Sequence, residues 1–377
     1  MPVEFRYANP NEYPQLAQCL NDYWAANHIY CRSEPLFRWS FQRTDVWERE
    51  QLSFAVAEDK GEMVGILGGI PFWFNNRGQR SKGVWIANYV IRPDYRKGTF
   101  ALQLLSQFRK PEFDPVIAFG INPATVSIYK VLRGEVLPDI PRHFLLLPGA
   151  AARLENLMSI AYPEESAAAN AAIVKPFEMS SLPKAPVSLV RELPSDWDET
   201  SWKPLSLETI GVARDSAYLN WRYRQHPLFE YRFIAIPEGG RQGLAVWRLE
   251  TIRRATDAGR VDVDKIGRLV EFMPVSEANA KELFAGFVSE LEAAGALGAD
   301  YYGYHGQIGA WLDGLGFQRA LSQPGGGKLP SRFQPIDGKG GGIMSAMFIA
   351  QQAPPCHATA DCAWYWTKSD SDQDRPN

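Results

Sequence analysis

Apolar residues along the chain change their spacing in a regular way. Glu4 to Tyr7 is strand-like, and about Pro10 to Trp24 and Leu36 to Phe41 read as helices. Three β-rich runs follow at Leu52 to Ala57, Met63 to Phe74 and Val84 to Ile91, the first two joined by the hairpin-type turn Asp59-Lys60-Gly61. Pro93 stops the third run, and Ala101, Leu104, Leu105 and Phe108 then recur at helical spacing. A short buried strand is predicted at Val116 to Phe119 and a helix around Ala124 to Leu132.

From Pro148 to about Trp202 the pattern lapses into an Ala-rich, Pro-punctuated linker or wrapping segment with one short helix near Ala151 to Leu157. The second half then repeats the grammar of the first. Strands at Tyr231 to Ile236 and Leu244 to Leu249 flank the turn-rich Pro237-Glu238-Gly239-Gly240, and a third strand runs from Arg268 to Met273. Pro274-Val275-Ser276 opens a helix with Ala280, Leu283, Phe284, Phe287 and Leu291 on one face. Asp300 to Tyr304 reads as a strand, Trp311 to Phe317 as the end of a helix, Pro324 to Gly342 as a Gly-rich loop and Ile343 to Ala350 as a last strand. The fold class expected is α+β, two tandem domains, each a mixed, mostly antiparallel sheet flanked by helices. The divisions are 1–147, a linker at 148–202, 203–355 and an acidic tail at 356–377.

A chain of 377 residues is too long for one ordinary core, which agrees with two domains. A net charge of −3 gives no electrostatic ground for binding nucleic acid or an anionic membrane. No apolar run is long enough to span a bilayer and no signal-peptide pattern opens the chain, so a cytoplasmic location is expected. Cys19, Cys31, Cys356 and Cys362 are too scattered for a disulfide framework and are expected to be free thiols. Cys356-His357 with Cys362 lacks a fourth ligand at finger spacing, so no metal is expected. The tail from Trp364 to Arg375 begins like a calcium loop but lacks the loop's Gly and closing Glu, and is expected to be a solvated acidic end.

The chemistry is expected where the strand ending at Ile91 passes into the helix through a small, basic turn, Arg96-Lys97-Gly98-Thr99-Phe100-Ala101. Such a helix start offers unpaired N–H groups and a positive dipole end to an anion such as a pyrophosphate. The segment resembles motif A of the GNAT acyltransferases. Counting from Arg96, Thr99 stands at the family's first glycine position and Ala101 at the second, with Gly98 one residue early. The resemblance implies acetyl-CoA or a longer acyl-CoA as co-substrate, with Asn88, Tyr89, Val90 and Ile91 along its pantetheine arm. Arg96, Lys97, Gly98, Thr99, Phe100 and Ala101 would hold its pyrophosphate, and Asn122 would also contact the arm. Ile128-Tyr129-Lys130 resembles the family's Leu-Tyr-Glu step, which implies Tyr129 as proton donor to the leaving thiolate; an amphipathic packing role is the alternative.

The second half departs from the family at the same places. Glu277 stands at its helix start where the first half has Arg96 and Lys97, and Leu312 stands where the general-acid Tyr is expected. The segment Tyr218-Leu219-Asn220-Trp221-Arg222-Tyr223 with His226-Pro227 resembles that of tandem GNAT-like proteins encoded with bacterial surface-polysaccharide enzymes. Arg222 and His226 are therefore candidates for the acceptor side, and Glu271 and His305 for a general base if the domains face each other; core roles are the alternative for each. The expected activity is direct attack of an amine, best guess a nucleotide-linked amino sugar, on an acyl-CoA thioester. A non-catalytic binding module and an aminoacyl transferase of the peptidoglycan cross-bridge type are the other readings. Oligomeric state is not legible.

Overall fold

The computed structural model describes residues 3–375 apart from 138, 185–188, 237–241, 321–328, 331, 339–342, 344 and 349–362. Cys356, His357, Cys362, the turn at 237–240 and most of the Gly-rich stretch lie outside the described residues. The first half follows the expected order. Helices Tyr13–Tyr23 and Glu34–Phe41 precede the antiparallel strands Phe54–Asp59, Glu62–Asn76 and Gln79–Ile91. Helix Phe100–Ser106, strand Val116–Phe119 and helix Val126–Val131 complete it. In the second half the strands Leu244–Thr256 and Gly259–Met273 form a longer hairpin than the apolar runs indicated, because its outer part is polar and exposed. Helix Glu277–Ala293 starts at Ser276, whose side chain accepts from the Asn279 N–H, and buries the predicted apolar face.

Among the described residues, fifteen strands form one continuous sheet. Its order runs from Glu135–Leu137 through Ser345–Phe348, Val116–Phe119, Gln79–Ile91, Glu62–Asn76 and Ile210–Val212. It continues through Trp364–Thr367, Gly298–Tyr304, Gly259–Met273 and Leu244–Thr256 to Arg232–Ala235. Three strands cross between the halves, one of them Ile210–Val212, which pairs antiparallel with Glu62–Asn76. Arg142–Leu146 pairs antiparallel with Gly298–Tyr304, and Ser345–Phe348 lies between Val116–Phe119 and Glu135–Leu137. Neither half completes its sheet from its own residues.

The linker folds on this frame as helices Ala151–Ala161 and Ala167–Val174, packed on a separate core containing Phe144, Leu154, Ile252 and Ile266.

The tail is a correction to the solvated acidic end. Trp364–Thr367 is a strand at the centre of the sheet, and Trp366 packs against Phe119 and Trp85 with centroids 5.7 and 6.0 Å away. The residues after it are buried, and their carboxylates are matched by buried cations and hydroxyls. Asp370 meets Arg214 at 2.6 Å, and Asp374 meets Arg248 and the Tyr231 hydroxyl at 2.7 Å each. The Arg248 guanidinium holds the Asp374 carboxyl far below the usual carboxylate range against the opposing effect of burial. An acidic segment is buried here because Asp370 and Asp374 find partners more than a hundred residues away in sequence, which local composition does not reveal, while Asp372 pairs locally with Arg375 at 2.7 Å.

Candidate active site

The strand Gln79–Ile91 runs parallel to Val116–Phe119 over only three pairs, Val84 with Val116, Trp85 with Ile117 and Ile86 with Ala118. Immediately afterwards it bulges. Its register against Glu62–Asn76 slips between Ala87 and Val90, and Asn88 sits at φ +51°, a left-handed conformation that Asn tolerates better than most residues. The parallel pairing ends at Ile86 while Gln79–Ile91 runs on, and we call the stretch beyond the last pair, with the backbone of Asn88 to Ile91 along it, the wedge. Asn88 is 5% exposed, yet neither atom of its side-chain amide has a hydrogen-bond partner. A buried amide in that state costs free energy unless something enters to satisfy it.

The helix Phe100–Ser106 opens beside this wedge. Thr99 precedes it without a side-chain cap, so the first-turn N–H groups have no intrahelical acceptor and no cap. Gly98 at φ +59° makes the turn, a conformation in which a side chain would be strained. The Tyr89 hydroxyl donates to the Ala101 carbonyl, which ties the bulged strand to the first turn of this helix. Arg96 and Lys97 are exposed, and neither forms an ion pair among the described residues; Arg96 Nε donates to the Ile91 carbonyl at 2.8 Å. Two free cations, a small turn and uncapped N–H groups are a setting for an anion. Asn122 is exposed, and its side chain accepts from the Ala124 N–H at 2.9 Å, so it caps the following turn.

Tyr129 is 6% exposed in the core between this helix and the sheet, with Phe100, Ala118 and Ile121 in the same cluster. Burial pushes its hydroxyl up to about 12, so it keeps its proton at neutral pH. The amphipathic and acidic roles are compatible, since the ring packs while the proton remains on the oxygen.

The second half repeats the same register. Gly267, Arg268 and Leu269 run parallel to Ala299, Asp300 and Tyr301, and the strand then slips between Val246 and Trp247 of its neighbour. Glu271 therefore corresponds to Asn88, His305 to Asn122 and Leu312 to Tyr129. Here the wedge is closed. The Tyr365 hydroxyl donates to Glu271 at 2.6 Å and accepts from the Phe272 N–H at 3.0 Å. Nothing in local sequence points to Tyr365 as a plug; the alternating Trp364-Tyr365-Trp366-Thr367 is the one strand signal in the tail.

The four candidates for the acceptor side lie in different surroundings. Arg222 is 3% exposed and donates to the Ser371 carbonyl at 3.2 Å, so the tail seals it from the surface. His226 is equally covered, accepting from the Leu228 and Phe229 N–H groups, and burial lowers it to about 3. The cavity beside both is about 10 Å³, room for one water and not for a nucleotide. Glu271 is fully buried, held by Tyr365, by Tyr223 at 2.6 Å and by Arg214 at 3.3 Å, and burial raises its pKa. His305 lines a separate cleft beside Tyr365, with 6.0 Å between the ring centroids, and burial lowers it to about 4. The four do not converge on one site. Among the described residues no group of His, Cys, Asp and Glu side chains is placed to hold a metal, and no helix is long and apolar enough to cross a membrane.

Residues 16–110 match the model of the acetyltransferase (GNAT) family, a span that contains the wedge strand and the helix beside it. No curated protein matches the sequence significantly. Among solved structures, the chain is similar to a GCN5-related N-acetyltransferase from Kribbella flavida, with 15% identity and a TM-score of 0.53 over 92% of this chain and 71% of that one. It is also similar to the Saccharomyces cerevisiae N-myristoyltransferase solved with bound myristoyl-CoA, with 13% identity and a TM-score of 0.54 over 94% of this chain and 82% of the other. The chain thus carries the GNAT fold along nearly its whole length, with the acetyltransferase family match lying in its first half.

Proposed function

We propose that the protein is an acyl-CoA-dependent N-acyltransferase whose cofactor site is the wedge of the first half. The observation that carries this reading is the contrast between the two wedges. One is filled by Tyr365, whereas the other holds a buried Asn88 amide with nothing bonded to it. In the wedge of Asn88, the pantetheine arm would lie along Asn88 to Ile91 and the pyrophosphate at the turn from Arg96 to Ala101. The amine nitrogen attacks the thioester carbonyl carbon and gives up its surplus proton to solvent, the C–S bond breaks, and the thiolate takes the Tyr129 proton, which solvent then restores to the tyrosine. A backbone N–H of the bulged strand is the donor available to the developing oxyanion.

The acceptor is a small amine. A nucleotide-linked amino sugar is the first to test, on the resemblance of the Tyr218 to His226 segment; because that segment is buried, the resemblance supports a shared architecture more than a shared contact. Thermal-shift titration with CoA, acetyl-CoA, longer acyl-CoAs and nucleotide sugars tests the reading. A ligand at 100 times its dissociation constant adds about 2.7 kcal/mol of stability. Stabilisation by acyl-CoA, with thiol release once an amine is added, is the expected result. Stabilisation by nucleotide sugars alone would make the protein a binding module, and no response to any acyl-CoA would remove the transferase reading.

A further inference from the structure

The closed wedge of the second half has an open mouth. Beyond Tyr365 lies a cleft of about 550 Å³, walled by Trp202, His305, Trp311, Leu205 and Tyr365, with Arg77 and Glu208 of opposite charge among its lining residues. That volume is within the range of small-molecule sites. It is also remote from the first wedge. Arg77 belongs to the turn before the strand Gln79–Ile91, and Gln79 is nine residues from Asn88, roughly 30 Å at about 3.3 Å per residue. An acyl-CoA thioester at Asn88 and an occupant of this cleft would not meet.

The rings of the lining present donors, beside the acceptor groups of Glu208 and Gln307. The indole N–H groups of Trp202 and Trp311 have no acceptor among the described residues. His305 Nδ1 accepts from the Ile308 N–H at 3.3 Å, which leaves the ring proton on Nε2, again a donor. Flat rings with unfilled donors suit a flat ligand that stacks and carries acceptors. Trp202 and Trp311 are half-buried, packed on the core, and line the cleft.

We propose that this cleft is a second ligand site, separate from acyl transfer, that takes a planar heteroaromatic ring of nucleobase size. Trp202 and Trp311 supply stacking surface, and the indole and imidazole N–H groups face ring acceptors. The net charge of Arg77 and Glu208 cancels, so the ligand's ring and not its charge dominates recognition.

The test is isothermal titration of the full chain with adenosine and with uridine, using ribose as the ringless control, in the presence of saturating acetyl-CoA. The expected result is nucleoside binding that ribose does not reproduce and that acetyl-CoA does not displace. Trp311→Ala and Trp202→Ala should each weaken it about tenfold, as for a lost stacking partner, and Trp311→Phe should retain most of it. Three results would overturn the proposal. These are no binding of either nucleoside at millimolar concentration, displacement by acetyl-CoA, and unchanged affinity in both alanine variants with native circular dichroism.

Discussion

Asn88 and Glu271 hold the same register position in the two halves, each two residues past the last parallel strand pair, and their surroundings are opposite. The Asn88 amide is buried with no partner, whereas Glu271 accepts two tyrosine hydroxyls at 2.6 Å and faces Arg214. One repeat leaves its buried amide unsatisfied while the other has turned the equivalent space into a bonded core. Tyr365, which fills that space, is contributed by the tail.

Tyr365→Phe should therefore separate stability from cofactor binding. It leaves the Phe272 N–H without its acceptor, and urea unfolding should show a loss of about 1–3 kcal/mol. Acetyl-CoA affinity should be unchanged. A large fall in that affinity would place the cofactor in the second half.

Reversing the charges of Arg96 and Lys97 to Glu should weaken acetyl-CoA binding by about tenfold per charge or more, since each tenfold corresponds to about 1.4 kcal/mol. Glu277→Lys, at the matching helix start of the second half, should leave it unaltered. Equilibrium dialysis of both variants decides this, and undiminished binding in the double variant would remove the anion site.

Tyr129→Phe should lower the turnover number by about 10²-fold with little change in the Michaelis constant, the pattern of a lost general acid. Because burial holds the hydroxyl protonated up to about pH 12, no loss of rate from Tyr129 ionisation should appear in the neutral range. If turnover persists where chemistry limits the rate, the tyrosine only packs.

The tail is expected to be as important to stability as any core strand. Asp374→Ala leaves Arg248 buried beside Glu250 alone and should cost about 3–5 kcal/mol, as for a broken buried pair. Glu199→Ala, which removes an exposed partner of Lys203, should cost under about 1 kcal/mol. Equal effects in chemical unfolding would mean that the tail is not docked as described.

Acid should destabilise the protein through its buried histidines. His226, His28 and His305 are lowered to about 3, 4 and 4, first by burial in every case, so the folded state binds fewer protons than the unfolded one below pH 6.5. The stability they contribute is present above pH 6.5 and is lost as pH falls toward their folded values, by up to about 1.4 kcal/mol per histidine per pH unit. His226→Asn keeps an acceptor for the Leu228 and Phe229 N–H groups but does not titrate. Melting curves between pH 7 and 5 should be flatter for this variant, and an unchanged slope would count against the assignment.

The local content of this protein was legible in its sequence. The apolar spacing from Met63 to Phe108 dictates strand, strand and helix, because a strand or helix buries one face and that face must recur at a fixed period. Gly98, Arg96, Lys97 and the helix beyond them are contiguous, so the anion-like turn needs no distant partner to be recognised. The repeat in the second half and its loss of the basic turn were equally visible. What the tertiary structure decided depends on pairs remote in sequence. Asp370 and Asp374 read as a soluble tail until Arg214 and Arg248 stand beside them. Arg222 reads as a candidate for the acceptor side until the Ser371 carbonyl covers it. Strands Arg142–Leu146 and Ser345–Phe348 join the opposite half's sheet. A charge is solvated or buried, and a wedge open or closed, according to what the rest of the chain brings to it, and periodicity carries no record of that.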